Sequence, residues 1–311
     1  MHAELQSVRR PSALATHSTI GVVSPASFAD AATLQAGCHA LREASGCKVA
    51  IAETGHIGNF AGSAEARAAA LMAMWRREDV GAIICSRGGY GSNYLLPLLD
   101  LDAMRAAPKS FVGYSDNTAL LLALERAGVA CFHGPMVASD FACGREDTES
   151  FFDALHGLPL DFDFSPHSGV ETLVSGEAHG SIVGGCLSVA VTSLGTPWEI
   201  DSSGKLLFFE DVHERPFRID RMLRHLLLAG KFQDVRGIIF GAMHGCAALS
   251  GEESLQQMIY RVLGELTVPI AFGFPSGHVE SGNLTLPFGV PATLECTAEG
   301  VRLRVDAATV L

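Results

Sequence analysis

A chain of 311 residues, 48% of them hydrophobic and 18% charged, is too long for one small core and suits two domains or one large α/β domain with additions. Its formal net charge of -12 repels nucleic acid and anionic membrane surfaces, so neither is expected as a partner. Eight cysteines, none in a C-x-x-C pair and most in apolar runs, read as reduced, buried thiols of a cytoplasmic protein.

Residues 1–18 contain Arg9, Arg10 and Pro11 but no apolar stretch of a signal peptide, and read as a disordered N-terminal extension. No run approaches the ~20 apolar residues of a membrane span. Thr19 to Val23 is a short strand that enters a turn at Ser24-Pro25-Ala26-Ser27. A helix over Asp30 to Ala44 stops at Gly46, and Lys48 to Ala52 is the second strand. Ser63 caps a helix through Arg77, and Val80 to Cys85 is the third strand. The glycine-rich loop Arg87-Gly88-Gly89-Tyr90-Gly91 leads to a short helix from Ser92. Phe111 to Tyr114 is the fourth strand, Asp116 to Ala127 its helix, and Val129 to Phe132 the fifth strand. This alternation predicts a parallel sheet with helices on both faces, whose ligand loops gather at the carboxyl ends of the strands. Residues 24–27, 86–91 and 114–117 should therefore converge.

The expected division is an N-terminal α/β domain over 19–145, a linker over 146–172 rich in glycine, proline and serine, and a smaller C-terminal α/β domain rich in β-strands over 173–311. In the second half, Gly184-Gly185 opens an apolar helix through Leu194, and Leu206 to Phe209 is a strand ending at Glu210-Asp211. Apolar Ile219, Met222, Leu223, Leu226 and Leu227 mark one face of a helix after Pro216. A strand follows at Gly237 to Phe240 and a helix at Glu252 to Leu263, before short strands and loops.

Phe111-Val112-Gly113-Tyr114-Ser115-Asp116 presents a hydroxyl at a sharp strand-to-helix corner beside free helix N-terminal N–H groups, which is what an acyl-transfer nucleophile needs. A plain N-cap role for Ser115 or Asp116 is the simpler alternative. A serine nucleophile also needs a base and an acid. Of twelve histidines, three sit in loops after apolar runs: His133, His244 and His278. Chemistry alone does not rank them. Glu210 and Asp211, at the end of an apolar strand, are the acid candidates, with an ion pair to Arg215 or Arg218 as the structural alternative. The loop at 87–91 lacks both G-x-G-x-x-G and the P-loop lysine, but its glycines allow N–H groups to approach a ligand. No H-E-x-x-H or paired Cys/His spacing points to a metal site.

Together, the stretch 19–27, Arg87-Gly88-Gly89-Tyr90-Gly91, Gly113-Tyr114-Ser115-Asp116, His133-Gly134-Pro135, Gly195-Thr196-Pro197-Trp198, Phe209-Glu210-Asp211, the stretch 216–223 and Gly277-His278 followed by Leu284-Thr285-Leu286-Pro287 resemble the LD-carboxypeptidases of the S66 serine peptidase type, a group that also holds the microcin C immunity enzymes. The segments run in that family's order from Thr19 to the end of the chain. The resemblance implies a Ser115–Glu210–His278 triad, an oxyanion hole from the backbone N–H of Asp116 and of Gly89 (or Gly88), an acyl-enzyme, and no metal or organic cofactor. It implies a small peptide substrate, cytoplasmic murein tetrapeptide cut before its terminal D-alanine, and a homodimer. Arg87 is the candidate cation for the terminal carboxylate.

Two departures from that family's pattern stand out: Cys186 where an asparagine is usual, and a loop of 279–283 one residue longer than expected. Two other readings remain. One is a microcin-C-type amidase, with Tyr90 and Trp198 available to stack on a nucleobase. The other is an α/β ligand-binding protein without activity, against which the presence of all three triad residue types counts.

Overall fold

The computed structural model describes residues 8–310. Strands and helices alternate through the first half: β1 (Thr19–Val23), α1 (Ala31–Ser45), β2 (Lys48–Ile51), α2 (Ala64–Arg76), β3 (Val80–Cys85), α3 (Leu101–Ala106), β4 (Ser110–Gly113), α4 (Thr118–Arg126) and β5 (Cys131–His133). The local signals explain the boundaries. Asp30 and Ser63 accept hydrogen bonds at the N-termini of α1 and α2, and Gly46 takes the left-handed conformation that ends α1. β1 is buried along its whole length, as a central parallel strand covered on both faces must be.

The second half continues with α5 (Thr148–His156), β6 (Leu160–Phe164), β7 (Glu171–Val174), β8 (Gly176–Cys186), α6 (Leu187–Thr192), β9 (Leu206–Val212), α7 (Pro216–Leu228), β10 (Gly237–His244), α8 (Leu255–Leu263), β11 (Ile270–Phe272), β12 (Leu286–Phe288), β13 (Pro291–Cys296) and β14 (Val301–Val305). Two sheets result, with strand orders β12-β5-β4-β3-β1-β2 and β6-β14-β13-β8-β9-β10-β11-β7. The α/β class expected from the sequence is correct, and β5-β4-β3-β1-β2 are all parallel.

Four expectations change. The C-terminal unit, expected to be the smaller, carries the larger sheet of eight strands against six. The segment 146–172, read as linker, holds α5 and β6, because apolar Phe151, Ala154, Leu155 and Leu160 are buried between polar neighbours. In the N-terminal extension, residues 8–18 are tied down: Arg9 bridges Val129, Ser12 bridges Val310, and Leu14 is buried. Residues 1–7 of that extension lie outside the described residues. Gly184 and Gly185 do not open a helix but end β8. A Cβ on Gly184 would lie 1.8 Å from the Phe208 carbonyl oxygen, and one on Gly185 2.4 Å from Thr118 Oγ1. Only hydrogen fits where β8 passes between β9 and the start of α4.

The two sheets are tied together by the chain itself. β12 leaves the second half to pair antiparallel with β5, Leu286 opposite His133. Buried Glu125 of α4 also accepts from Lys205, just before β9, at 2.6 Å.

Candidate active site

Ser115 follows β4 and opens a short 3-10 turn, Ser115–Asn117, that runs into α4. Its φ is +61°, one of three positive values among the described non-glycine residues. Such a conformation costs a β-carbon-bearing residue about 1–3 kcal/mol and is kept where surrounding structure imposes it. Here the imposing contact is Asp116. Its carboxylate accepts from the Ser92 N–H at 2.8 Å, and its carbonyl accepts from the Ser92 hydroxyl at 2.6 Å. Asp116 thus locks the corner to the end of the glycine-rich loop instead of capping α4, whose N-terminus has no side-chain cap.

Facing this corner is the loop after β11. His278 Nε2 lies 3.2 Å from Ser115 Oγ, and His278 Nδ1 lies 2.6 Å from Glu210 Oε2. Nδ1–H donates to the carboxylate, so Nε2 is free to accept the serine proton. Glu210 stands in β9 and is fully buried. Burial alone would raise its carboxyl pKa, but the charge and hydrogen bond of His278, with His133 close on the other side, outweigh that and hold it below the usual carboxylate range, at about 2. For His278, burial pulls the imidazole down, but Glu210 beside it and Asp211 and Asp140 farther off together outweigh that, so the net shift is upward. Gly277 takes φ +104°, and a Cβ there would sit 2.6 Å from Glu210 Oε2. The carboxylate can approach the His278 backbone only because residue 277 has no side chain.

The remaining residues singled out by sequence separate. Asp211 turns away from the histidine and accepts from Ser188 N at 2.8 Å at the start of α6, with burial raising its pKa. His244 is exposed, its ring against His213. His133 is fully buried behind Glu210. The backbone N–H groups of Asp116 and Gly89 have no acceptor among the described residues. Gly88 packs directly on the serine: a Cβ there would lie 2.8 Å from Ser115 Cβ. Arg87, Gly89 and Tyr90 line one cavity of about 710 Å³ with Phe28 and Phe60. Trp198 is not part of it; it lines a separate cavity of about 180 Å³ with Asn93 and Ala119. The Cys186 N–H donates to Thr118 Oγ1 at 2.9 Å, and its buried thiol faces Ser188 and Asp211 rather than the histidine.

Sequence reasoning missed the residues that hold both halves in register. Buried Asp140 accepts from Met136 N at 2.9 Å, from Tyr114 Oη at 3.3 Å and from Asn283 Nδ2 at 3.2 Å. Burial raises its pKa, to about 6. Asn283 in turn accepts from Gly277 N at 2.9 Å. One carboxylate therefore joins the residue before Ser115 to the residue before His278. A lone aspartate inside the apolar run 136–141 was the available signal. Arg145 was also missed. With Arg87 it lines a cavity of about 320 Å³, and neither guanidinium has an ion-pair or hydrogen-bond partner among the described residues.

An elbow serine, an imidazole and a buried carboxylate in series, next to open N–H groups, form the arrangement of a serine hydrolase. Residues 20–134 match the LD-carboxypeptidase N-terminal domain and residues 179–294 the LD-carboxypeptidase C-terminal domain. The chain belongs to the LD-carboxypeptidase family, the S66 serine-type hydrolases. It is 36% identical over 298 residues to a Bacillus subtilis protein named "Probable murein peptide carboxypeptidase", covering 93% of this chain and 92% of that one. It is 28% identical over 249 residues to the microcin C7 self-immunity protein MccF of Escherichia coli, covering 70% and 72%. Among solved structures, muramoyltetrapeptide carboxypeptidase from Oxalobacter formigenes superposes with a TM-score of 0.86 at 28% identity, covering 94% of this chain and 100% of that one.

Proposed function

We propose that the protein is a cytoplasmic carboxypeptidase that hydrolyses the L,D-peptide bond before the terminal D-alanine of murein tetrapeptide, with Ser115, His278 and Glu210 as its catalytic residues. The observation that carries this reading is the unbroken contact series Ser115 Oγ–His278 Nε2 and His278 Nδ1–Glu210 Oε2, at 3.2 and 2.6 Å. Ser115 Oγ attacks the carbonyl carbon while Nε2 takes its proton. Glu210 stabilises the imidazolium that forms. The Asp116 and Gly89 N–H groups donate to the developing oxyanion. The imidazolium then protonates the leaving amine of D-alanine, and water repeats the sequence on the acyl-enzyme. The names of the Bacillus and Oxalobacter relatives support a murein peptide as substrate. The free state of all eight cysteines supports a cytoplasmic setting. A homodimer is part of the same reading, to be checked by light scattering.

A substrate that ends in a carboxylate and carries others needs cations, and this acidic chain leaves Arg87 and Arg145 unpaired in one cavity beside the glycine-rich loop. Arg87→Ala and Arg145→Ala are each expected to raise KM about tenfold with kcat changed far less, read from initial rates of D-alanine release. A fall in kcat at constant KM would show that the arginines do not bind substrate.

One observation favours a second reading. Tyr90, half exposed, lines the larger cavity with Phe28 and Phe60, a wall on which a nucleobase could stack as in a microcin-type amidase. The decisive assay offers murein tetrapeptide and aspartyl sulfamoyl adenosine in parallel and follows both products by mass spectrometry. The proposal expects D-alanine from the first at a kcat/KM well above that for the second. The reverse order would replace it with the amidase.

A further inference from the structure

His133 ends β5 and is completely buried, yet the proton relay uses neither of its ring nitrogens. The ring is held by Phe208, Tyr114 and Phe288 at centroid distances of 4.8, 5.7 and 5.8 Å. On one side Nδ1 lies 3.1 Å from Ser276 Oγ, whose own hydrogen is directed to the Leu284 carbonyl at 2.8 Å. A hydroxyl has one proton to give, so the Ser276 oxygen accepts from His133 Nδ1–H. On the other side Nε2 faces Glu210 Oε1 at 3.9 Å. Neither of these two buried atoms has a hydrogen-bond partner among the described residues. The two oxygens of Glu210 therefore point at two different histidines. A bare lone pair on Nε2 opposite a carboxylate oxygen, sealed from water, would be repulsive on both sides.

We propose that His133 is a positioning residue of the acyl-transfer site: as an imidazolium, with Nδ1–H on Ser276 and Nε2–H toward Glu210 Oε1, it holds the other carboxylate oxygen on His278. The inference rests on the triad reading above. One loop sets both imidazoles, since Ser276 anchors His133 and lies two residues before His278. The β5–β12 pairing, Leu286 opposite His133, fixes the far end of that loop. At 3.9 Å the contact is electrostatic, longer than a hydrogen bond. It nevertheless gives Glu210 a second source of positive potential and limits its basicity toward His278. The titratable groups around the pair are His278 across the carboxylate, Tyr114 from the nucleophile corner, Asp140 behind Tyr114, Asp211 next along β9, and the buried Cys186 thiol opposite Glu210 on β8. Phe208 and Phe288 close the remaining faces without charge.

The test compares His133→Leu, which keeps bulk but has no N–H, with His133→Gln, whose amide can donate. In folded His133→Leu, kcat for D-alanine release is expected to fall about ten- to a hundredfold with KM little changed. The acid limb of kcat/KM should move to higher pH, because a carboxylate without its second donor is the stronger base toward His278. His133→Gln should recover most of kcat and bring the limb back. An unmoved limb in folded His133→Leu overturns the proposal, whether kcat is unaltered or lowered by lost packing. If His133→Leu does not fold, imidazole ¹⁵N shifts of the unmutated protein decide: a protonated Nε2 on His133 supports the clamp, an unprotonated one overturns it. Ser115→Ala run alongside separates the two levels. Full activity there removes the triad, while an inert Ser115→Ala with an unaffected His133→Leu removes only the clamp.

Discussion

Replacing Ser115 with alanine is expected to lower kcat/KM for D-alanine release by about 10⁴- to 10⁶-fold while the protein folds normally. The size follows from what is lost. Without the hydroxyl there is no acyl-enzyme, and the imidazole at 3.2 Å has no proton to take. What remains is substrate orientation and the N–H groups of Asp116 and Gly89, which can only assist attack by water. The stability change should stay within about 1 kcal/mol, because the lost hydrogen bond is partly exposed and alanine inherits the positive φ of +61°. Ser115→Gly separates function from strain more sharply. It should be equally inactive but more stable than the parent by roughly 1 kcal/mol, since glycine occupies that φ without a β-carbon clash. Circular dichroism and thermal melts of both variants, beside a product assay, check these outcomes. Activity of Ser115→Ala near that of the parent would mean that another group attacks the peptide.

Glu210→Gln carries the second large effect, a loss of about 10³- to 10⁴-fold in kcat. A glutamine in that buried place can present its oxygen to His278 Nδ1–H and keep the tautomer, but it cannot stabilise the imidazolium. If it presents its N–H instead, the ring must carry its hydrogen on Nε2, facing a serine it can no longer deprotonate. The pH profile distinguishes this from a packing defect. Glu210 is what lifts His278 against the downward pull of burial, so the parent should lose activity as His278 protonates above the ordinary histidine value of 6.5. In Glu210→Gln the strongest upward pull is gone, burial is opposed only by the weaker pull of Asp211 and Asp140, and the acid limb of the residual activity should move to lower pH. Stability has its own window. The folded Glu210 carboxyl lies at about 2 against 4.5 for a free side chain. Its contribution is therefore present above pH 4.5 and lost as pH falls toward 2, a dependence that Glu210→Gln should not show. An acid limb that stays in place in Glu210→Gln would separate the carboxylate from the histidine.

Glu210 and its neighbour His133 make opposite predictions for that limb. Removing the carboxylate lowers it; removing His133 raises it. A merely structural role for either residue moves it in neither direction.

Much of the first sheet was legible in the residues. Short apolar runs end in glycine or serine turns, Asp30 and Ser63 stand where α1 and α2 start, and Gly46 where α1 stops. These signals are local, so a linear reading finds them. Ser115 was legible for the same reason, as a serine wedged between an apolar strand and an apolar helix. Glu210 and His278 were legible as a carboxylate and an imidazole at the ends of apolar runs, but chemistry alone did not pair them; only the family resemblance did. Asp211 stood equally well for the acid, and His133 and His244 for the base. The glycine pair 184–185 misled because close approach of β9 and α4, not helix entry, is what demands glycine there. The same holds for 146–172, where short buried runs among glycine, proline and serine carry too little periodicity to announce α5 and β6.

By itself the sequence determined the α/β class, the parallel order of the first sheet's elements and the corner that exposes Ser115, because all of these depend on neighbours within about a dozen residues. The family resemblance apart, only the tertiary structure shows which acid and which base face that corner. Asp211 is drawn off to the start of α6 while Glu210 is left facing inward, a choice set by the alternation of side chains along β9. His278 reaches Ser115 because Asn283 and Asp140 pin its loop to Tyr114, contacts that span up to 143 positions of chain. No periodicity carries information over that distance. It arises only when two sheets, joined by β12, bring their strand ends together.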